Sequence, residues 1–323
     1  MSTVTKTVIP VAGLSTRFQP ATKAIPKAML PVVDAPSIEY VVTEAAAAGI
    51  SDALLITGRG QESIADHFDA APELERALEA KGDQARLAKV QATNDLARVH
   101  VVRQGEALGL GHAVLTAADH VGEVPFAVQL GDDLIDPRDE ILPAMIAAQA
   151  ELGGSVIALM EVPPEQISLY GCAAVEPANS SQGADVVRVR HMVEKPAPQE
   201  APSNLAMIGR YVLGPGIFDV LRETPPGRGN EIQLTDALQA LDAAGVDVAS
   251  LANNHGLDYG LVGVEDALAE PGVQVRLFGK PICEGERRLA VVAAAGDDLG
   301  QARKRAAEAA EAITITLDPA APD

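Results

Sequence analysis

The sequence predicts an α/β protein with a mixed, mostly parallel sheet, helices on both faces, and a smaller antiparallel portion. Three observations carry that prediction. Short β-rich apolar runs alternate with Ala-rich stretches of helical period through the first half of the chain. The first run leads directly into a Gly-containing loop, as strand–helix units of parallel sheets do. From about residue 155 the apolar runs follow one another through short connections, the pattern of antiparallel strands.

Taken in order, residues 7–12 read as a buried strand, 37–48 as a helix stopped by Gly49, and 53–57 as a second strand. Residues 61–80 read as helical with a break at Pro72. A strand over 99–103, a helix over 111–120 and a strand over 126–130 follow, the last running into Gly131-Asp132-Asp133. Strands are predicted at 155–162, 171–176, 186–194 and 207–213, and a helix at 232–244. Residues 273–278 and 288–294 read as a hairpin, 297–312 as a charged Ala-rich helix, and 314–323 as a frayed end.

Composition narrows the function. The chain has 323 residues, 47% of them hydrophobic, enough for a sizeable core, but 3% aromatic and no Trp, so that core is aliphatic. A net charge of −20 excludes a nucleic-acid or anionic-membrane surface, which needs a basic footprint. A small phosphorylated substrate needs only a local basic pocket. Of eight lysines, Lys23, Lys27 and Lys195 fall inside the motifs below. Cys172 and Cys283 offer neither a disulfide framework nor zinc spacing. The N-terminal apolar run lacks the length and flanks of a signal peptide, and no run approaches the ~18 residues of a membrane span. The expectation is a soluble cytoplasmic protein.

Five motifs carry chemistry. The first is Ala12-Gly13-Leu14-Ser15-Thr16-Arg17, continuing through Lys23 and Lys27 to Pro31. Small residues let backbone N–H groups approach a polyphosphate, and the cations supply compensating charge. The plain alternative is a strand–helix turn with solvated cations. The second is Gln104-Gly105 followed by Gly109-Leu110-Gly111-His112, a strand–helix connection with an amide at its start. The third is Gly131-Asp132-Asp133, a strand end where a carboxylate can hold Mg²⁺ against phosphate oxygens, or can simply cap a turn. The fourth is Glu194-Lys195-Pro196, and the fifth Asp258-Tyr259-Gly260; an ion pair and a turn are their structural alternatives.

These segments, from VIPVAGLSTRFQPATKAIPKAMLP through RQGEALGLGHAVLTA, VQLGDDLI, YGCAAVE, MVEKPAPQEAPSNLAMIGRYVL and TPPGRGNEIQLTDAL, strongly resemble the bacterial UTP–glucose-1-phosphate uridylyltransferases of the sugar-nucleotidyltransferase superfamily. The resemblance covers about residues 4–270. It implies a Rossmann-like nucleotidyltransferase fold, Mg²⁺, a homo-oligomer (dimer or tetramer), and formation of UDP-glucose and pyrophosphate from UTP and glucose 1-phosphate. Carried over position by position, it implies Ala12, Gly13, Gln104 and Gly109 around the nucleotide, with Gln104 on the uracil edge. It implies Arg17 at the departing pyrophosphate, Lys27 at the UTP phosphates and Lys195 at the sugar phosphate. Gly171, Glu194 and Asn204 are implied around the sugar, and Asp132 and Asp258 around the metal. Ser15 departs from the family, which usually has a second Gly there.

The catalytic domain then spans 1–270, leaving a C-terminal hairpin and helix over 271–323. The segment 265–310 resembles the C-terminal hairpin-and-helix of the formate-dependent phosphoribosylglycinamide formyltransferase, without any other ATP-grasp motif in the chain. Three alternatives stay open at this point: a thymidylyl or other sugar-1-phosphate nucleotidyltransferase, an inactive nucleotide-sugar-binding homologue, and a metallophosphatase built around Asn254, His255 and Asp258.

Overall fold

Alternation along the first strand, β1 (Lys6–Pro10), divides the core: Val8 joins one apolar cluster and Ile9 another on the opposite face. The computed structural model describes residues 4–13, 15–32, 34–178 and 186–243, and beyond these five strands between 248 and 315. After β1, short turns of 3-10 helix lead to a two-residue ladder, β2 (Pro31–Val32) with β3 (Ala35–Pro36), and to α1 (Ser37–Ala47). There follow β4 (Asp52–Thr57), α2 (Ser63–Asp66), α3 (Pro72–Ala80), α4 (Gln84–Asn94), β5 (Arg98–Arg103), α5 (Leu110–Leu115), α6 (Ala118–Val121) and β6 (Phe126–Gln129). The remainder of the first unit comprises α7 (Ile141–Leu152), β7 (Ser155–Glu161), β8 (Gly171–Pro177), β9 (Val186–Glu194), β10 (Leu205–Leu213), α8 (Ile217–Glu223), α9 (Leu234–Ala243) and β11 (Val248–Ala252).

These strands form one nine-stranded sheet in the order β5-β4-β1-β6-β10-β7-β11-β9-β8. The segment from β5 to β6 is parallel throughout. β10 then runs antiparallel to both β6 and β7, and β8 pairs antiparallel with β9. The antiparallel portion is thus an extension of the same sheet. In α1 the buried Ile38, Val41, Val42 and Ala45 recur at helical spacing, and Gly49, at φ 83°, ends the turn after it. Ile38, Val41 and Val42 pack with Ile9, Ala53 and Leu55, whereas Val8, Leu54 and Ile56 face α5, α8 and α9 across the sheet. Phe126 and Phe218 stack at 5.0 Å, a rare aromatic contact in an aliphatic core.

The structure differs from the sequence reading in three helices that were not anticipated. α4 has no buried residue and is capped by Asp83, whose carboxylate accepts the Arg86 N–H at 3.2 Å, so hydrophobic period could not reveal it. α7 is apolar on several faces, and α8 is only seven residues long. The helical stretch expected over 61–80 is broken ahead of Pro72 into α2 and α3, and Pro72 occupies the first turn of α3, where its missing N–H is harmless.

The chain divides into two compact units, Met1–Asn254 and His255–Asp323. In the second, β12 (Leu261–Val262) pairs antiparallel with β15 (Thr314–Ile315). β13 (Val273–Leu277) pairs antiparallel with β14 (Ala290–Ala294), the hairpin expected there. Thr314 and Ile315, expected in a frayed end, therefore belong to a strand. The helix expected over 297–312 lies outside the described residues, as do Asn254, His255, Asp258 and Cys283. Among the described residues, no helix is long and apolar enough to cross a membrane.

Candidate active site

The parallel strands β1, β4 and β5 end side by side, and the loops leaving their C-terminal ends meet around one cleft of about 430 Å³. That is the expected location in an open α/β sheet, and the size falls within the ~300–1,000 Å³ of small-molecule sites. Ala12, Gly13, Ser15, Lys23 and Lys27 line it from the first loop, Gly58, Arg59 and Gln61 from the second, and Gln104 and Gly105 from the third. Arg59 was not singled out in the sequence; its signal was the Gly58-Arg59-Gly60 run directly after a strand.

Local contacts hold these loops in register. The Gly58 N–H donates to Gln61 Oε1 at 2.6 Å, and Gln61 Nε2 reaches the Gly13 carbonyl at 3.5 Å. Gln104 Nε2 donates to the Gly109 carbonyl at 3.0 Å and lies 3.1 Å from His112 Nδ1. The carbonyl end of that amide makes no hydrogen bond among the described residues, which leaves an acceptor in the cleft. Ser15 sits at φ 52°, ψ 40°, in the left-handed region that favours Gly. Gly109 sits at φ 102°, and a Cβ there would lie 2.7 Å from Glu231 Cβ and 2.9 Å from the Ile232 carbonyl. Gly109 is therefore required by packing. Arg17 falls in the turn Thr16–Phe18, but its side chain is outside the described residues.

The next strand brings the carboxylates. Asp132 forms an ion pair with Lys27, and the same ammonium lies 4.6 Å from the Phe18 ring centre. Asp132 is 43% exposed on its side chain, open to a ligand. Asp133 turns inward and accepts the Gly209 N–H at 3.0 Å. Burial, then the neighbouring Asp132 charge, raises its carboxyl above the usual range, against the opposing pull of Arg210. The sequence offered two adjacent acids; only packing distinguishes the open one from the committed one.

Arg210 is fully buried and explains the geometry of this segment. Its guanidinium binds Glu44 of α1 through Nε at 2.9 Å and Nη2 at 2.7 Å, and donates to the carbonyls of Gly209 at 2.9 Å and Asp133 at 2.8 Å. Tyr211, next on β10, is buried too; burial first, then the Asp133 and Glu194 charges, pushes its phenol up.

A second cluster forms around Glu194. Lys195 Nζ bonds Glu194 Oε1 at 2.7 Å, and the Thr235 hydroxyl donates to Glu194 Oε2 at 2.7 Å. Gly171 pairs with Glu194 across β8 and β9, and a Cβ on it would meet Met207 Cε and lie 3.0 Å from Glu194 Oε2. The position is open because it is Gly. Asp236 stands nearby, raised by burial and then by the Glu194 charge. Thr235 and Asp236 lie in the segment TPPGRGNEIQLTDAL, whose resemblance was visible although no residue in it was selected. Asn204 is placed differently: its amide donates to Glu161 Oε1 at 2.7 Å.

Comparison with known proteins agrees with this arrangement. The nucleotidyl transferase family model matches residues 6–268, and the model described as PurT, C-terminal, matches 249–313. A UTP–glucose-1-phosphate uridylyltransferase of Bacillus subtilis, YngB, is 51% identical over 73% of this chain and 78% of its own length. The UTP-bound UGPase of Acinetobacter baumannii is 41% identical with a TM-score of 0.71, covering 79% of this chain and 87% of that one. A UDP-glucose pyrophosphorylase complexed with UDP-glucose is 39% identical with a TM-score of 0.67, covering 78% and 91%. With the fold, the loop order and these matches in agreement, the chain belongs to the nucleotidyl transferase family, alongside the bacterial UTP–glucose-1-phosphate uridylyltransferases.

Proposed function

We propose that this chain transfers a uridylyl group from UTP to α-D-glucose 1-phosphate, giving UDP-glucose and pyrophosphate. The observation that carries the proposal is one cleft lined by Lys23 and Lys27 from a small-residue loop, with Lys27 ion-paired to the open carboxylate of Asp132 at its side. In an acidic protein, this is where a triphosphate finds compensating charge.

In the reaction a phosphate oxygen of glucose 1-phosphate forms a bond to the α-phosphorus of UTP, and the bond from that phosphorus to the β-phosphate bridging oxygen breaks. Both reactants are anions, so the barrier is electrostatic and entropic, and no enzyme nucleophile is required. Lys27 and Arg17 neutralise the triphosphate and the departing pyrophosphate. The free acceptor of Gln104 takes the uracil N–H, while the small residues Ala12 and Gly13 admit the phosphates. Glu194, held by Thr235, accepts from sugar hydroxyls beside Gly171, and Lys195 places the attacking phosphate. Holding both substrates in line is worth on the order of 7–11 kcal/mol.

Asp132 offers a hard oxygen donor next to the cation of Lys27, which fits Mg²⁺ completed by phosphate oxygens; Asp258, the second ligand that the resemblance implies, lies outside the described residues. When bound, Mg²⁺ supplies Lewis-acid charge neutralisation at the phosphates. The proposal includes a cytoplasmic location and assembly as a dimer or tetramer, the latter measurable by light scattering.

The test is pyrophosphate release from UTP plus glucose 1-phosphate, with and without chelator, against a panel including dTTP and other sugar 1-phosphates. Product formation with UTP and glucose 1-phosphate is expected to exceed the other pairs. Binding of UDP-glucose without any turnover would favour an inactive homologue. Lys195→Ala should lower kcat/KM by at least about 100-fold, the scale of losing one charge-stabilising donor, with the melting temperature little changed. An unaltered rate removes Lys195 from the mechanism.

A further inference from the structure

At the N-terminal ends of the parallel strands, opposite the cleft, three metal-ligating side chains converge. Asp52 opens β4, His100 is the third residue of β5, and His120 lies in α6. The parallel register sets Asp52 beside Arg98 and Leu54 beside His100, so Asp52 and His100 project from one sheet face. The α5–α6 segment packs over that face through Val114, Ala117 and Val121 and delivers His120 to the same place. Asp52 and the cleft residue Gly58 are six positions apart, roughly 20 Å along the strand direction at ~3.3 Å per residue.

We propose that Asp52, His100 and His120 form a binding site for a divalent cation of zinc chemistry. His120 Nε2 lies 2.9 Å and His100 Nε2 3.9 Å from Asp52 Oδ1. One donor atom from each of the three residues fits within 4.8 Å of the others. Around a tetrahedral zinc with bonds of ~2.0–2.1 Å, ligand atoms stand about 3.4 Å apart. The observed separations bracket that value, and side-chain rotation closes the difference. The imidazole centroids are 4.8 Å apart with planes inclined by 56°, so the rings are not stacked flat against each other.

Two imidazoles and one carboxylate select zinc-like ions over Mg²⁺, which prefers oxygen donors. The side chains of His100, Asp52 and His120 are 41%, 19% and 24% exposed, leaving a path for the ion and a fourth position for water. Lys6 on the adjoining strand does not fill the site. Its ammonium donates to the His120 carbonyl at 2.6 Å and the Val121 carbonyl at 3.2 Å, and it makes no ion pair with Asp52 among the described residues. A bound ion would tie β4, β5 and α6 together at the end of the sheet that carries no chemistry.

The test uses tag-free full-length protein, stripped of metal and titrated with Zn²⁺ in excess Mg²⁺, by calorimetry and thermal melting. Wild type should bind one equivalent and melt higher when loaded. His100→Ala and His120→Asn should each weaken Zn²⁺ binding at least about 100-fold, since losing even an outer-shell partner costs roughly 10–100-fold. His120→Asn retains a donor toward Asp52, which separates loss of the ligand from loss of the ion pair. Co²⁺ in place of Zn²⁺ should give the intense visible bands of a four-coordinate site in wild type alone. Absence of Zn²⁺ binding by wild type, or wild-type affinity in either variant, overturns the proposal and leaves a His120–Asp52 ion pair beside a neighbouring imidazole.

Discussion

Replacing Arg210 by Met tests how the fold holds the segment that carries Asp132. The guanidinium is fully buried and makes three charge-assisted contacts of 2.7–3.0 Å to Glu44, besides its bonds to the Gly209 and Asp133 carbonyls. Met fills a similar apolar volume but leaves the Glu44 carboxylate, 17% exposed, without its partner. Removing one member of a buried pair costs about 3–5 kcal/mol. That is a large share of a typical domain stability of ~5–15 kcal/mol. Removing both charges leaves no unpaired Glu44, so Arg210→Met with Glu44→Leu should recover part of the loss, the Gly209 and Asp133 carbonyls still lacking their donor and Asp133 its neighbouring cation. Urea unfolding of the four proteins in the cycle measures the coupling directly. Turnover should fall in the single variant, because the carbonyl of Asp133 loses its anchor. A single-variant loss below about 1 kcal/mol, or a double variant as unstable as the sum of its parts, refutes the reasoning.

Other expectations concern the same site. Asp133→Asn keeps an acceptor for the Gly209 N–H and removes a carboxyl whose pKa is raised by burial and Asp132. A raised folded-state pKa favours the fold below the unfolded value and is lost as pH rises through the folded one. The variant should therefore gain on wild type in melting temperature at neutral pH, and the gain should vanish on acidification toward pH ~4. Gly109→Ala should cost about 1–3 kcal/mol by overpacking, read by chemical denaturation, since backbone atoms of Ile232 block the new methyl. Ser15→Gly should relieve left-handed strain of ~1–2 kcal/mol, offset by ~0.5–1 kcal/mol of Gly entropy. A net gain of about 0–1.5 kcal/mol, measured by melting, fits that balance, and a net loss does not.

Much of the candidate site was legible because the residues that line its cleft lie in contiguous segments. The loop from Ala12 to Lys27 and the amide of Gln104 each follow the end of a parallel strand, and such ends share one edge, whereas the pair Glu194-Lys195 stands at the end of the antiparallel strand β9. What remained illegible was local patterning without burial, as in α4, and short helices such as α8, whose period is too brief to register. Arg59 and Thr235 were missed because neither residue type is distinctive until its neighbours in space are known.

The linear order of residues by itself determined the α/β class, the hydrophobic runs that become β1, β4, β5 and β6, and the scarcity of lysine, three of whose eight copies fall in the motifs. These depend on period and composition, which a chain carries without folding. Only the tertiary structure decided that Asp132 is open while Asp133 is committed to Gly209, that Asn204 turns to Glu161, and that Asp52, His100 and His120 meet. Such choices depend on which side chains from distant segments exclude water from one another, and that exclusion exists only once the sheet has formed.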